Sequence, residues 1–214
     1  MKKNIAILIS GRGSNMQHLV NLSEDDDCPF RVALVVCNVA NAAGLTWAKQ
    51  QGLPTYVMNY KGQDKEYVES NLTDILDEQN IEFVILAGFM KLLGKTFVRK
   101  WQGKLVNIHP SLLPAYRGLH THQRALDDHV LFAGCTVHFV VEDVDAGPVI
   151  GQAVLPISHG DSAETLASKL LPWEHELLGR AVTAVVENKV TWTDDELVRT
   201  QAVQEYLQIV ATNK

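Results

Sequence analysis

The amino-acid sequence predicts an α/β fold with a doubly wound, mostly parallel sheet and a mixed C-terminal extension. Apolar, β-branched runs recur through the first half of the chain, and segments with helical spacing separate them. Continuous apolar runs are typical of strands buried on both faces, and their alternation with helices indicates parallel crossover connections. The strands predicted for this half lie at residues 5–9, 32–36, 55–58, 83–87 and 105–108.

The helices predicted for the first half lie between these strands. Their apolar residues are spaced three and four apart, which places them on one helical face that can pack on the sheet. These helices are expected at residues 16–22, 42–51, 65–79 and 95–101.

The second half shows a different pattern, which predicts the mixed extension. Residues 134–141 and 148–156 are extended apolar runs, and a tight polar segment at 142–147 joins them, which indicates a hairpin-like or mixed-sheet extension. Asp161 and Ser162 then precede a long helical pattern, which Pro172 is expected to kink or divide. Beyond Thr191 we expect a short strand and a polar terminal helix.

The chain is expected to form a single domain over residues 1–214. Its length is enough to bury a substantial apolar core, and no linker, repeat or low-complexity tract interrupts it. Within this domain we distinguish a nucleotide-type βα half at 1–109 and a second half at 110–214.

Composition and charge argue against several classes of protein. The formal net charge is −6 and the 19 Lys and Arg residues form no basic run, so no nucleic-acid partner is expected. No stretch approaches the roughly 18 consecutive apolar residues that a membrane span needs. The three cysteines lack CxxC spacing, so we expect neither a disulfide framework nor a zinc site. Unpaired cysteines are typical of a reducing compartment, so we expect a cytoplasmic location. The expected partners are small-molecule substrates, and the expected assembly is a monomer or homodimer.

A glycine loop, Ser10-Gly11-Arg12-Gly13-Ser14-Asn15, follows the first predicted strand and opens the first helix. Glycines allow a sharp turn and a close approach to a ligand, and the N–H groups of a helix N-terminus attract phosphate. A dinucleotide is disfavoured, because Met16 replaces the third glycine of GxGxxG and no acidic residue follows the second strand. The alternative is a tight strand-to-helix turn in which Ser14 or Asn15 caps the helix.

A second candidate site involves Asn107, His109 and Asp145. Asn107 and His109 lie two residues apart at the end of the fifth predicted strand, so strand alternation points both side chains in one direction. They lie at the carboxyl edge, where open α/β sheets bind ligands. Asp145 lies in the turn of the predicted extension, which suits delivery of a carboxylate from outside the main sheet. The alternatives are a hydrogen-bonded structural histidine and an aspartate that only forms the turn.

The remaining histidines that we considered are expected to be surface or packing residues. Two of them, His120 and His122, could in principle contribute to a metal site, but no carboxylate at a fixed spacing completes such a ligand set. We therefore expect no metal. The histidines of this group are His120, His122, His138, His159 and His175.

Five segments together resemble the phosphoribosylglycinamide formyltransferases, folate-dependent enzymes of purine biosynthesis. The resemblance covers nearly the whole chain. The segments around Asn107 and Asp145 are shared with the wider formyltransferase family, so they specify the chemistry better than the substrate. The five segments are the glycine loop, Ala87-Gly88-Phe89-Met90, Asn107-Ile108-His109-Pro110-Ser111-Leu112-Leu113-Pro114, Gly118-Leu119-His120-Thr121-His122 and Asp145-Ala146-Gly147-Pro148.

The resemblance implies a Rossmann-like formyltransferase fold and two substrates. The implied donor is 10-formyltetrahydrofolate, a co-substrate on the side of residues 110–214, and the implied acceptor is the amine of 5-phosphoribosylglycinamide, on the side of residues 1–109. By similarity, Gly13, Ser14 and Asn15 hold the acceptor phosphate and Glu174 binds its ribose hydroxyls. The implied donor contacts are Lys65, Met90, Lys91, Leu92, Leu93, Val141, Glu142, Asp143 and Val144.

The implied reaction needs the three groups of the second candidate site. Attack of an amine on a formyl carbon places negative charge on the formyl oxygen, and the amine nitrogen must lose a proton. Asn107 can donate an N–H to that oxygen, and His109 as imidazolium can donate to it and to the departing folate nitrogen. Asp145 favours this cation and can accept the amine proton directly or through a water.

Three alternatives to this function are two other enzymes and, from another class, a noncatalytic binding module. A hydrolase could pass the formyl group to water with the same groups, but its relatives carry an N-terminal regulatory domain, and the first strand here begins near residue 4. A methionyl-tRNA formyltransferase would carry a C-terminal nucleic-acid-binding domain, for which this chain is short and acidic. A noncatalytic module that binds a phosphorylated ligand would leave Asn107, His109 and Asp145 unexplained.

Overall fold

The computed structural model of the chain describes residues 1–193 and 195–211 and divides into two compact units. The first unit is Met1–Asn107, and the second begins at Ile108. The division lies inside the fifth strand, and the single domain over residues 1–214 stays a prediction.

The first unit contains a parallel sheet, and all five predicted strands are confirmed. They are β1 (Lys3–Ile9), β2 (Phe30–Cys37), β3 (Thr55–Val57), β4 (Phe83–Leu86) and β5 (Leu105–His109). Their order is β5-β4-β1-β2-β3, and the pairings within the unit are parallel. The carboxyl ends of β1, β4 and β5 are therefore neighbours at one edge of the sheet.

The four helices predicted for this unit are also confirmed. They are α1 (Ser14–Ser23), α2 (Ala43–Gln50), α3 (Lys65–Glu78) and α4 (Lys95–Lys100). Residues 5–9 of β1 are fully buried, as are Met16 and Leu19 of α1. Burial of a side chain of this size contributes about 1.5–3 kcal/mol, so the apolar face of α1 anchors the helix that follows the glycine loop.

The second unit contains the mixed extension that the sequence predicts. β6 (Phe132–Phe139) and β7 (Val149–Pro156) pair antiparallel, and β10 (Gln208–Val210) adds to β7 in parallel. β8 (Val190–Thr193) and β9 (Glu196–Arg199) form a separate antiparallel pair. The predicted fold class, α/β with a mostly parallel sheet and a mixed C-terminal extension, is confirmed.

The long predicted helix is α6 (Ala163–Val186), and it begins with a capping box at Ser162. Pro172 was expected to kink or divide this helix; the division is wrong, because α6 continues through this residue as one helix, and the kink stays a prediction. Proline removes only one backbone donor from the ladder, while Leu170 before it and Leu177 after it are fully buried. The apolar packing on both sides therefore keeps the two halves of α6 in one element.

Two short helices complete the second unit. α7 (Gln201–Tyr206) is the predicted polar terminal helix, whereas α5 (Thr121–Asp127) was not predicted. α5 has seven residues and buries only Thr121 and Ala125, so its sequence lacks an apolar periodicity that would reveal it. Among the described residues, no helix is both long and apolar enough to cross a membrane.

Candidate active site

The glycine loop of the first unit has the backbone geometry of an anion site. Gly13 adopts a left-handed conformation, with φ 72° and ψ 32°, and is the N-cap of α1. No side chain caps this helix, so the alternative in which Ser14 or Asn15 serves as the cap is wrong. The amides of the first helical turn have no partner within a helix and carry a partial positive charge. Ser14 is half-buried and Asn15 is buried at this helix start.

Ser10 ties three strand ends together beside this loop. Its hydroxyl donates to Asn38 Oδ1 at 2.5 Å and accepts from the amide of Met90 at 2.7 Å. The Ser10 amide donates to the carbonyl of Gly88 at 3.1 Å. Because Asn38 follows β2 and Met90 follows β4, the hydroxyl fixes the loop relative to both neighbouring strands. This role of Ser10 was not predicted from the sequence.

Gly44 of α2 supports the glycine loop from the other side, and the sequence analysis missed it. The Gly44 amide donates to the carbonyl of Gly11 at 3.1 Å. A Cβ atom added at Gly44 would lie 2.8 Å from that oxygen and 2.9 Å from the Arg12 carbonyl oxygen. These distances are too short for a real side chain, so the close approach of α2 to the loop requires glycine here.

The donor contacts implied for the first unit lie on α3 and in the segment after β4. Met90 and Leu92 are large apolar side chains that are 66% and 68% exposed, which leaves them available to a ligand. Lys91 Nζ lies 6.0 Å from the ring centroid of Tyr60, and Leu93 is half-buried. Lys65 Nζ lies 3.9 Å from Glu69 Oε1. Both lysines are thus exposed cations with a partner that restrains them.

Asn107 and His109 occupy the end of β5, as predicted. Asn107 is half-buried and lies opposite Leu86 of β4, at the same edge of the first unit as the end of β1. His109 follows two residues later and is only 6% exposed. Both residues therefore lie in β5 where the sequence predicts them, and the common direction of their side chains stays a prediction.

The second unit brings His109 and Asp145 into contact. His109 Nδ1 lies 3.3 Å from Asp145 Oδ2, and His109 Nε2 lies 3.0 Å from the carbonyl oxygen of Tyr116. Both ring nitrogens thus face acceptors, an arrangement that is fully satisfied when the ring is protonated on both. The Gly118 amide donates to the same Asp145 oxygen at 2.9 Å. A carboxylate held by a backbone amide and an imidazole is well placed to support a cation.

The backbone at Asp145 places its carboxylate in this position. Asp145 has φ 50°, in the left-handed region that aspartate tolerates better than most residues. Gly147 follows in the same turn, where an added Cβ would collide with the carbonyl oxygen of Phe139. The turn between β6 and β7 is therefore held tightly against the end of β6. Its implied donor contacts Glu142, Asp143 and Val144 are exposed, and Val141 is half-buried.

His138 is a neighbour of Asp145 that the sequence analysis interpreted as a packing residue. Its side chain is buried, and Nε2 lies 3.7 Å from Asp145 Oδ1. Nδ1 lies 2.8 Å from the Phe139 carbonyl oxygen and must carry the proton of that bond, so in the neutral ring Nε2 is a proton acceptor facing Asp145. Burial, and secondarily the charge of His109, lowers the pKa of His138, while Asp145 and the Phe139 carbonyl oppose this shift. A histidine near the end of a largely apolar strand was the signal that could have identified it.

A buried hydroxyl fixes the segment that follows His109. Thr136 Oγ1 donates to the Ser111 carbonyl at 2.7 Å and accepts from the Leu113 amide at 3.1 Å. Gln152 Nε2 donates to the Leu113 carbonyl and to Thr136 Oγ1, both at 3.0 Å. This network connects the loop that follows β5 with both β6 and β7. It therefore holds the backbone around His109 by side chains from two other strands.

Glu174 lies half-buried in the middle of α6. Its charge acts on Cys135 of β6, since burial and then Glu174 raise the pKa of that thiol.

Within residues 1–193 and 195–211, no group of three or more His, Cys, Asp or Glu side chains could hold a metal ion. The three cysteines, Cys28, Cys37 and Cys135, are buried and free.

Comparison with known proteins adds a family to this geometry. A family model described as formyl transferase matches residues 3–182 of the chain. The trifunctional purine biosynthetic protein adenosine-3 of Bos taurus is 42% identical over 190 residues, which cover 88% of this chain and 19% of that protein. The chain therefore spans about a fifth of the length of this relative.

Shorter relatives match over most of their own length. The phosphoribosylglycinamide formyltransferase of Escherichia coli K12 is 40% identical over 175 residues, which cover 81% of this chain and 82% of that protein. The crystal structure of phosphoribosylglycinamide formyltransferase from Anaplasma phagocytophilum covers 100% of both chains, with 36% identity and a TM-score of 0.90. The similarity thus includes both units.

Proposed function

Because the chain belongs to the formyl transferase family, we propose that it transfers the formyl group of 10-formyltetrahydrofolate to the amine of 5-phosphoribosylglycinamide. The products are formylglycinamide ribonucleotide and tetrahydrofolate, in de novo purine biosynthesis. The observation that carries the proposal for the chemistry is the contact of 3.3 Å between His109 and Asp145. The names of the relatives that match over most of their length support the choice of acceptor.

Acceptor binding is assigned to the glycine loop and to α6. Gly13, Ser14 and Asn15 hold the phosphate through the amides at the start of α1, where the helix dipole favours an anion. Glu174 accepts hydrogen bonds from the ribose hydroxyls. The interactions of both sets are the same in the ground state and the transition state, so they lower the acceptor KM rather than raise kcat.

Donor binding is assigned to two segments and one lysine. Exposed Met90 and Leu92 cover the apolar surface of the folate, together with Leu93, and Lys65 and Lys91 attract its carboxylates. In the second unit, residues 141–144 contact the pterin.

Catalysis is assigned to Asn107, His109 and Asp145. The amine nitrogen attacks the formyl carbon, the carbonyl electron pair moves to oxygen, and Asn107 and His109 donate to the resulting oxyanion. Asp145 accepts the amine proton directly or through a water. The bond from carbon to the folate nitrogen then breaks, the oxyanion reforms a carbonyl, and His109 supplies the proton that the departing nitrogen needs.

The hydrogen bond from His109 Nε2 to the Tyr116 carbonyl adds a requirement to these catalytic steps. The Tyr116 carbonyl accepts from Nε2 at 3.0 Å, whereas Nδ1 faces Asp145. For Nε2 to donate to the oxyanion, that oxygen must replace the Tyr116 carbonyl as acceptor. The imidazolium keeps Asp145 as its other acceptor during this exchange, so its charge stays compensated.

Other parts of the proposal concern the state of the protein. We include in it a single domain, a monomer or homodimer, a cytoplasmic location and no nucleic-acid partner. The buried, free cysteines and the net charge of −6 support the location and the lack of a nucleic-acid partner.

Acceptor dependence of folate turnover tests the proposal against its nearest rival. The purified chain is incubated with 10-formyltetrahydrofolate, with and without phosphoribosylglycinamide, and the deformylated folate is followed by absorbance. We expect turnover only when the acceptor is present. Turnover in its absence favours a hydrolase, and no turnover under either condition favours a noncatalytic binding module. The variant Asp145→Asn can be assayed in the same way. Asp127→Asn, which changes an exposed carboxylate of the second unit, then serves as the active control.

A further inference from the structure

Glu69 is a buried carboxylate of the first unit that the proposed reaction does not use. It lies on α3, and its side chain is 5% exposed. A buried glutamate is rare and costly unless its oxygens are hydrogen-bonded. Here the Gly94 amide donates to Oε1 at 3.1 Å and to Oε2 at 2.9 Å, and the nearby Tyr60 hydroxyl, which donates to Met58 Sδ at 3.5 Å, also lowers the pKa of Glu69. Lys65 Nζ lies 3.9 Å from Oε1.

Gly94 is shaped to receive this carboxylate. A Cβ atom added at Gly94 would lie 2.5 Å from Glu69 Oε2, which is too close for a real contact. The conformation of Gly94 is an extended one with φ −74°, so glycine is required there for space rather than for backbone freedom. Burial raises the pKa of Glu69, while the Gly94 amide and Lys65 oppose the shift by favouring the anion.

Three neighbours of the Glu69 carboxylate border the proposed donor contacts. Lys65 is one of these contacts, and Gly94 directly follows the segment 90–93. Tyr60 lies under Lys91, whose Nζ is 6.0 Å from the ring centroid. The Glu69 side chain therefore connects the start of α3 with the segment that follows β4. It also lies near the Tyr60 ring, which contacts Lys91 of that segment.

We propose that Glu69 is a positioning residue for the folate donor, holding Lys65 and the segment 90–93 in the arrangement that binds it; this rests on the proposed function. Glu69 does not touch the donor itself. It acts through the Gly94 amide, which fixes the end of the segment, and through its attraction for Lys65. The expected signature is therefore a change in donor KM, with acceptor KM and kcat little affected. A carboxylate that only stabilised the fold would not separate the two substrates in this way.

Substitution of Glu69 tests the inference through this separation. Glu69→Gln keeps an oxygen for the Gly94 amide and removes the charge, and loss of one charge-assisted hydrogen bond corresponds to about a tenfold rise in donor KM. Glu69→Ala removes both interactions and should raise donor KM further. Glu78→Gln removes a charge from an exposed position on the same helix and should match the wild type in all three parameters.

A second variant approaches the same contact from its other side. Gly94→Ala places a methyl group against Glu69 Oε2 and should raise donor KM without any change of charge. In the double variant Glu69→Ala, Gly94→Ala, the carboxylate that the methyl group meets is absent. The double variant should therefore be no worse than Glu69→Ala alone, because the two changes disrupt a single contact.

The outcomes separate this inference from the proposed function. Steady-state kinetics with each substrate varied in turn, together with thermal unfolding curves, give donor KM, acceptor KM, kcat and folding for each variant. If Glu69→Ala does not fold, Glu69→Gln and Gly94→Ala carry the test. A selective rise of donor KM in both supports the positioning role. Wild-type turnover with unchanged donor KM in Glu69→Gln, or equal losses for both substrates, overturns it. No acceptor-dependent turnover in the wild-type chain overturns the proposed function and the inference with it.

Discussion

The glycine loop of the first unit and the pair of His109 and Asp145 in the second unit differ in the groups that they present to a ligand. The loop presents backbone amides at the start of α1 and depends on glycines, since Gly13 has a φ of 72° that favours glycine and Gly44 leaves no room for a side chain. The pair presents side chains, and its supporting residues come from irregular backbone. Asp145 and Gly118 both have positive φ, at 50° and 81°.

This difference predicts how substitutions in each region should affect binding and catalysis. A site of backbone amides is insensitive to the chemistry of its own side chains but sensitive to added volume behind it. A site of titratable side chains keeps its shape when a carboxylate becomes an amide, yet loses the proton chemistry. We therefore expect substitutions in the second region to reduce kcat and substitutions around the first to raise acceptor KM.

The largest effect is expected for the catalytic groups. Asp145→Asn keeps the shape and the positive φ, which asparagine also tolerates, but it removes the charge that supports His109 and the acceptor for the amine proton. We expect kcat to fall by at least about 10²-fold, as for loss of a general base, with His109→Ala similar. The measurement is steady-state kcat at saturating donor and acceptor.

The double variant His109→Ala, Asp145→Asn sharpens this prediction. Groups that act as a unit lose most of their joint effect with the first substitution, so the double variant should be little worse than the poorer single one. Circular dichroism spectra establish that each variant is folded. A folded Asp145→Asn chain that retains more than about a tenth of the wild-type kcat would contradict the proposed mechanism.

Glu174→Ala tests whether the second unit contributes to binding as well as to chemistry. Loss of a charged hydrogen-bond acceptor for the ribose should raise acceptor KM by about 10- to 100-fold while kcat changes much less. Glu176→Ala on the same helix is the matched control, since it breaks only the partly exposed pair with Arg180. An equal fall of kcat at unchanged KM would place Glu174 with the catalytic groups instead.

Gly44→Ala tests the sensitivity of the glycine loop to volume. The added methyl group meets the carbonyl oxygens of Gly11 and Arg12, so the loop must move by a few tenths of an ångström. We expect acceptor KM to rise about three- to tenfold, a loss of roughly 0.7–1.4 kcal/mol in binding, with kcat nearly unchanged. Lys49→Ala, at an exposed position of α2, is the control. If acceptor KM stays at the wild-type value while the chain is folded, the loop does not hold the phosphate.

The smallest predicted effect concerns His138 and the pH dependence of stability. Its pKa is lowered from 6.5 in the folded chain, so below about pH 6.5 the unfolded chain binds a proton that the folded chain binds less readily. Stability should therefore fall as pH decreases through this region. His138→Asn keeps a donor for the Phe139 carbonyl and cannot titrate, so its stability should depend less on pH.

Urea unfolding at pH 7.5 and 5.5 measures this difference. We expect the wild type to lose more stability than His138→Asn between the two values, because the unfolded chain takes up a proton on His138 that the folded chain takes up less readily. His129→Asn changes an exposed histidine whose positive φ of 52° asparagine accepts, and it should behave as the wild type. An identical pH dependence for His138→Asn and the wild type would show that His138 is not the group responsible.

The two regions also differed in how far the sequence could describe them. The strands of the first unit and the position of the glycine loop follow from local apolar patterns, because buried parallel strands and amphipathic helices have distinct periods. The residues behind the loop could not be found in this way. Ser10 and Gly44 act on segments from other parts of the chain, and neither belongs to a local motif that specifies those partners.

In the second region the sequence placed Asn107 and His109 on one strand end and Asp145 in a turn. That Asp145 supports His109 followed from the resemblance and the chemistry rather than from local pattern, and the sequence did not show that His138 faces the same carboxylate. The run that contains His138 was correctly predicted as extended. The contact of His138 with the Asp145 carboxylate, however, depends on the backbone conformation at Asp145. A positive φ at a non-glycine residue is decided by the structure around it.

The sequence by itself determined the fold class, the order of strands and helices in the first unit and the residue types available for chemistry. These are properties of neighbours along the chain, whose periodicity and capping preferences act over a few residues. Only the tertiary structure decided that Thr136 and Gln152 hold the loop after His109, that Glu69 meets Gly94 and that α6 continues through Pro172. Each of these depends on the packing of distant segments, where burial makes a polar group seek a partner and makes a single methyl group too large.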